Sequence, residues 1–245
     1  MDNKKFFTKK KIFILSGVVV ALFLIVWFLF KFYYLELFVG FYKDTGTFNA
    51  ISNREDVTIK HNFYNDKYFE GMGIKFLNIF GDCYLSSEGK YYSGYICDKG
   101  AFVISTASGF VSSFNKGDFI NSDISSSWNK NIHKEFLRRH NIKNDDDIIE
   151  FLSNYKDKEL SVLDSYNDIN DDYVVSDLLS MFPTYDKAKF YMISGDYKGY
   201  SVENDSSYMF YIKNDDMYYR ILFGIKNSDL TRDDIYKVIS SVVIG

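Results

Sequence analysis

Four serine–lysine pairs carry the spacing at which a lysine amine can deprotonate a serine nucleophile: Ser87/Lys90, Ser113/Lys116, Ser127/Lys130 and Ser153/Lys156. Acyl-enzyme chemistry of that kind also needs Ser-Asp-Asn and Lys-Thr-Gly elements, and the chain has neither. Residues this common meet at that spacing by chance, so the pairs read as coincidence. The chain also lacks a G-x-S-x-G elbow, an H-E-x-x-H helix and a phosphate-cradling glycine loop. Glu70 and Glu88 are left as carboxylates that could act as acid and base in a cleft.

Metal chemistry fares no better. The histidines are His61, His133 and His140. His133 and His140 are seven apart, two turns along one helix face, too far apart to share a tetrahedral ion without a third donor. They are expected to be a solvated pair. A calcium loop read from Asp168 puts Asp168, Asn170 and Asp172 at ligand positions. Tyr173 then stands where glycine must turn, and Leu179 where the bidentate glutamate must sit. The expectation is a solvated acidic loop, with no metal and no cofactor.

Two features could still carry structure or binding. Cys83 and Cys97 fall in GDCYLSSEGKYYSGYICDKG, which reads as two antiparallel strands around SSEGK. That arrangement can set the sulfurs opposite each other; a bridge and two reduced thiols are both open, and the C-x-x-C spacing of a redox-active pair is missing. Lys130, Lys134 and Arg138 line one side of a predicted helix, opposite Trp128, Ile132 and Phe136. Such a basic stripe could meet an anionic partner, although amphipathic helices commonly look this way.

The elements that must position these residues begin with a membrane segment. Residues 12–30, IFILSGVVVALFLIVWFLF, hold no charge and no proline. At 1.5 Å per residue the run is about 28 Å long, close to the roughly 30 Å hydrocarbon core of a bilayer. It exceeds a signal-peptide h-region, and no small-residue cleavage pattern follows it. The expectation is an uncleaved, single-pass signal-anchor over 12–31, with Trp27, Tyr33 and Tyr34 in an interfacial belt. Lys4, Lys5, Lys9, Lys10 and Lys11 precede it, so residues 1–11 are expected in the cytoplasm and the bulk of the chain outside.

Net charge is −4. Removing the six lysines and one acid of residues 1–31 leaves 23 basic and 32 acidic side chains, near −9 for the remainder. That sign disfavours nucleic acid, whose binding requires neutralised phosphates. Aromatic residues make up 19% of the chain while proline occurs once. This is the bias of an AT-rich, bacterial genome, and strands absorb tyrosine and phenylalanine readily.

Beyond a stalk at 32–46, strand character marks 57–64, 73–80, 91–97 and 101–107. A helix follows the serines at 125–127. A second begins at Asn144 with acids in its first turn, and a third carries Val174, Val175, Leu178, Leu179 and Phe182 before Pro183. Strands resume at 190–193, 208–213 and 217–225, the last two a hairpin. A terminal helix opens on the capping box Thr231–Asp234 and buries Ile235, Val238, Ile239 and Val242. From Phe190 onward this order of strand, hairpin and helix, closing on Ser240 and Ser241, resembles small exported lipoprotein-type domains of Gram-positive bacteria. The fold class is α+β: one extracytoplasmic domain over 47–245, with an antiparallel sheet, a helical insert and a packed C-terminal helix. The expected function is a non-enzymatic binding domain with an envelope protein partner. Its alternatives are a hydrolase using cleft carboxylates and a binder of wall polymer through exposed aromatics. Nothing in the sequence sets the oligomeric state.

Overall fold

The computed structural model describes residues 9–39, 45–116, 126–156, 160–182, 187–215, 217–225 and 230–245. The elements are α1 (Lys9–Val39), α2 (Thr45–Ser52), β1 (Glu55–Ile59), β2 (Tyr68–Gly71), β3 (Ile74–Leu77), β4 (Cys83–Gly89), β5 (Tyr92–Cys97) and β6 (Gly100–Ser108). There follow α3 (Phe110–Lys116), α4 (Ser126–Arg139), α5 (Asp145–Asn154), α6 (Tyr166–Ser180), β7 (Lys189–Gly195), β8 (Gly199–Glu203), β9 (Ser207–Asn214), β10 (Met217–Ile225), α7 (Arg232–Ser240) and β11 (Val243–Ile244). The class is α+β. The chain divides into two compact units, residues 1–42 with 157–176, and residues 43–156 with 177–245.

In the first unit, the stretch Ile14–Glu36 of α1 is long and apolar enough to cross a membrane. From residue 14 to residue 33 every side chain is exposed except that of Lys31. A soluble fold would cover so long an apolar cylinder, since its exposure to water opposes folding. The stalk is only partly as expected. The helix runs through Val39, residues 40–44 lie outside the described residues, and a short helix α2 begins at Thr45, within the expected stalk. The acidic stretch at 168–172 is no loop. It lies in α6, where Ile169 and Asp172 are both buried, so a calcium-loop geometry is not formed.

The second unit is built on an eight-stranded sheet in the order β1-β7-β8-β9-β10-β6-β5-β4. Antiparallel pairing holds from β7 through β4, but β1 runs parallel to β7, with Glu55 opposite Tyr191 and Ile59 opposite Gly195. The sheet is therefore mixed. The hairpin β9–β10 and its neighbour β6 form its centre.

Side-chain alternation sends Ile193, Phe210, Ile212, Ile221, Phe223, Phe102 and Ile104 to one face. There they join Ile74 and Phe76 of the small antiparallel sheet β11-β3-β2, and Ile235, Val238, Ile239 and Val242 at the chain's end. Phe80 stacks on Phe223 at 5.3 Å and Phe102 meets Phe76 edge-on at 5.4 Å, geometries that favour aromatic pairs beyond their buried area. The opposite face carries Phe190, Tyr200, Tyr211 and Tyr218 beneath Phe110 and Phe182. Because both faces are covered, all five residues of β8 are buried.

Two helix starts are fixed by reciprocal caps. Asn144 accepts from Asp147 N while Asp147 takes the Asn144 N–H, and Thr231 and Asp234 do the same for α7. Each box satisfies amide donors that a helix end would otherwise leave unpaired.

Candidate functional site

The parallel pairing of β1 with β7 makes a cleft that no local motif announces. Setting Ile59 opposite Gly195 brings the residues that follow both strands side by side. The His61 amide donates to Asp196 Oδ2 at 2.8 Å, and its ring nitrogen Nδ1 meets the Tyr197 hydroxyl. That hydroxyl donates in turn to the Val242 carbonyl. With its one proton committed there, the Tyr197 oxygen is left to accept from His61 Nδ1–H. Burial, helped by the nearby Asp196 carboxylate, pushes the Tyr197 hydroxyl up to about 12. Tyr197 therefore stays a donor at neutral pH and the relay keeps its direction.

Around this relay lies an open cleft of ≈ 600 Å³, lined also by Phe63, Lys198, Lys213 and Asp215. Phe63 is 78% exposed and meets the His61 ring edge-on at 4.4 Å. The cleft thus offers an apolar ring, two lysine side chains, an Asp215 carboxylate and an oriented imidazole. These groups suit a polypeptide or other ligand of mixed polarity.

A second polar cluster is closed to ligands. Glu203, 3% exposed, accepts from Ser201 at 2.7 Å, from Arg232 Nε at 2.8 Å and from the Tyr236 hydroxyl. Arg232 also lies over the rings of Tyr191 and Tyr236, at 4.6 and 4.3 Å. A buried carboxylate with this many donors is satisfied, and it ties α7 to β8. Burial and the Glu203 charge raise the Tyr236 hydroxyl well above its ordinary range.

The residues singled out in the sequence are scattered. Cys83 and Cys97 stand directly opposite in the β4–β5 ladder, their sulfurs 2.11 Å apart, at bonding distance. Lys134 and Arg138 are exposed on α4 and border a cleft of ≈ 450 Å³ with Lys143. Arg138 is engaged by Glu135, with nitrogen–oxygen distances of 2.9 and 2.6 Å, so one of these three positive charges is compensated. Lys130 lies one turn earlier and is half-buried. Trp128 lies among side chains that are not described.

His133 and His140 are not a solvated pair. His133 is fully buried, 4.3 Å from the Phe114 ring, with Nε2 2.9 Å from Asp177 Oδ2. A carboxylate partner makes that burial tolerable. His140 is half-buried between Phe136 and Phe151. Glu70 and Glu88 are exposed on β2 and β4, and neither lines the clefts described here. No cluster of three or more metal-ligating side chains occurs among the described residues.

Sequence reasoning noted His61 but not Phe63, Asp196 or Tyr197. The usable signal was the strand character at 57–64 and at 190–193; what could not be read was that the two strands pair in parallel.

No family model matches the chain, and no curated protein does. Among solved structures, a protein of Bacteroides thetaiotaomicron VPI-5482, crystallised at 1.50 Å resolution, is similar at 12% identity and a TM-score of 0.29. The match covers 74% of this chain and 49% of that one, so this chain spans about half its length. A likeness at that score carries no argument about fold or function.

Proposed function

We propose that this protein is a membrane-anchored, extracytoplasmic binding domain of a bacterial envelope, and that its partner is another envelope protein. Residues 12–31 are the anchor, residues 1–11 face the cytoplasm and residues 47–245 lie outside. The observation that carries the reading is the uncovered apolar surface of α1 between Ile14 and Tyr33. The opposed Cys83 and Cys97 support the location, since disulfides persist in oxidising compartments. The partner is assigned to the His61 cleft, where Phe63 projects as an aromatic anchor of the type that dominates protein interfaces.

Replacing Phe63 with a photo-crosslinking amino acid tests this in cells of the source bacterium. One envelope protein should be recovered in covalent complex, and should disappear when the photo-reactive residue is moved to exposed Asp205. Recovery of no specific protein would refute the partner. Protease added outside wall-stripped cells should digest the domain; protection would refute the orientation.

One observation favours a second reading, a wall-polymer binder. Tyr84 and Ile96 are cross-strand partners on the β4–β5 hairpin, and Tyr92 lies on the same face as Ile96; all three are exposed. Exposed tyrosine rings of this kind are faces on which a sugar could stack. Loss of cell-wall pull-down on Tyr84→Ala with Tyr92→Ala would favour this reading over the first.

A further inference from the structure

Lys31 is where the apolar run of α1 ends, and its environment is unusual for a lysine at that depth. A lysine at a membrane edge ordinarily extends its ammonium to lipid headgroups and water. Lys31 is instead 4% exposed. Its ammonium donates to the Asp164 carbonyl and lies 5.4 Å from the Trp27 ring and 4.9 Å from the Tyr166 ring. One turn further along α1, Tyr34 donates to Asn170 Oδ1 at 2.6 Å and meets Tyr166 edge-on at 4.8 Å. Residues 161–170 therefore take the place of headgroups around the end of the span.

The turn that reaches Lys31 is fixed by its own hydrogen bonds. Ser161 N donates to Asp164 Oδ2 at 2.7 Å, Asp164 N to Ser161 O at 3.1 Å, and Leu163 N to Ser161 Oγ at 3.2 Å. Ser165 and Asp168 then cap α6, with Asp168 N donating to Ser165 Oγ at 3.1 Å. The Asp164 and Asp168 carboxylates are both drawn into these local bonds. Leu163 is left at the tip, 81% exposed.

A lone exposed leucine means little by itself. This one directly precedes Asp164, whose carbonyl binds the residue ending the apolar span. Phe32 and Tyr33, the next residues of α1, are exposed as well. We propose that the turn 161–164 is a second membrane contact, with Leu163 seated at the headgroup–acyl boundary beside the exit of α1. The occupant is lipid, and the contact is apolar, so it needs no anionic headgroup. The inference rests on the anchor reading above, because Lys31 marks membrane depth only if α1 spans.

Site-directed spin labels on the full chain in phosphatidylcholine nanodiscs test it, with Cys83 and Cys97 left joined. Leu163→Cys carries the label of interest; Val20→Cys reports the bilayer interior and Asp205→Cys reports water. The ratio of oxygen to nickel-chelate accessibility at position 163 should be several-fold above that at 205 and below that at 20. A ratio at 163 equal to that at 205, with 20 reading as lipid, overturns the membrane contact alone. An aqueous reading at 20 overturns the anchor and the contact together.

Discussion

Asp234 shows how one side chain fixes the start of an element and how that effect titrates. It accepts from the Thr231 amide at 3.0 Å and the Thr231 hydroxyl at 2.8 Å, and Lys237 reaches it at 3.0 Å. These donors hold its carboxyl down to about 2, against an ordinary 3.8. A depressed folded value stabilises at pH above the unfolded value, and the contribution is lost as pH falls from 3.8 through about 2. Asp234→Asn should therefore lower stability by about 1 kcal/mol at neutral pH, the usual worth of a cap. In urea titrations the gap from the parent protein should narrow toward zero in that acid window. A gap that stays constant there would refute the electrostatic account. This cap was legible because Thr231 and Asp234 are three residues apart. His133 was misread for the opposite reason: Asp177, which makes its burial tolerable, lies 44 positions away.

At the scale of elements, β4 is the outermost strand of the large sheet, paired on one side only, and most of its side chains are exposed. Its hold on β5 is therefore weakly supported by packing, and the Cys83–Cys97 link matters more than it would in a buried strand. The two cysteines are 14 residues apart, and closing so short a loop is worth about 3 kcal/mol. Replacing both with alanine should lower unfolding stability by about that amount, and reductant should then have no further effect on the variant. Two alkylatable thiols in the untreated protein would dismiss the bridge.

At the other edge, Gly195 sits at φ +102, and a Cβ there would lie 2.2 Å from the Ile59 carbonyl oxygen. Gly195→Ala should part the ends of β1 and β7 and cost about 2 kcal/mol or more. The His61 ring resonances should shift with it, as the Tyr197 hydrogen bond is lost; unchanged resonances would show that the pairing does not hold the cleft. Strands such as β9 and β10 were readable, because runs of aromatic and β-branched residues flank the turn at Asn214 and Asp215. β8 was not, because Gly199–Glu203 is short and its Ser201 and Glu203 are buried only through Arg232 and Tyr236, which lie 29 and 33 positions beyond Glu203. Strand direction is also absent from local sequence, so the parallel β1–β7 pairing and the cleft it builds were out of reach.

For the molecule as a whole, the governing question is what covers α1. Its run of exposed leucine, valine, isoleucine and phenylalanine side chains needs a solvent more apolar than water. Its composition and length were plain in the sequence, since they depend on contiguous residues only. What the sequence hid was the second half of that unit: residues 157–176 fold with the helix, although more than a hundred residues separate them. If a bilayer is the solvent, central charges must be expensive, at about 2.5–3.5 kcal/mol for each arginine at mid-helix. Val19→Arg with Leu22→Arg places two such charges near the centre of the run, a combined penalty of roughly 5–7 kcal/mol. The parent protein should remain in the membrane pellet after alkaline carbonate extraction, and the double variant should move to the supernatant. The disulfide supplies a control for a pellet result, because a variant that aggregates without leaving the reducing cytoplasm would keep two alkylatable thiols. A doubly charged helix that stays in the pellet with its disulfide intact would mean that protein, not lipid, covers α1.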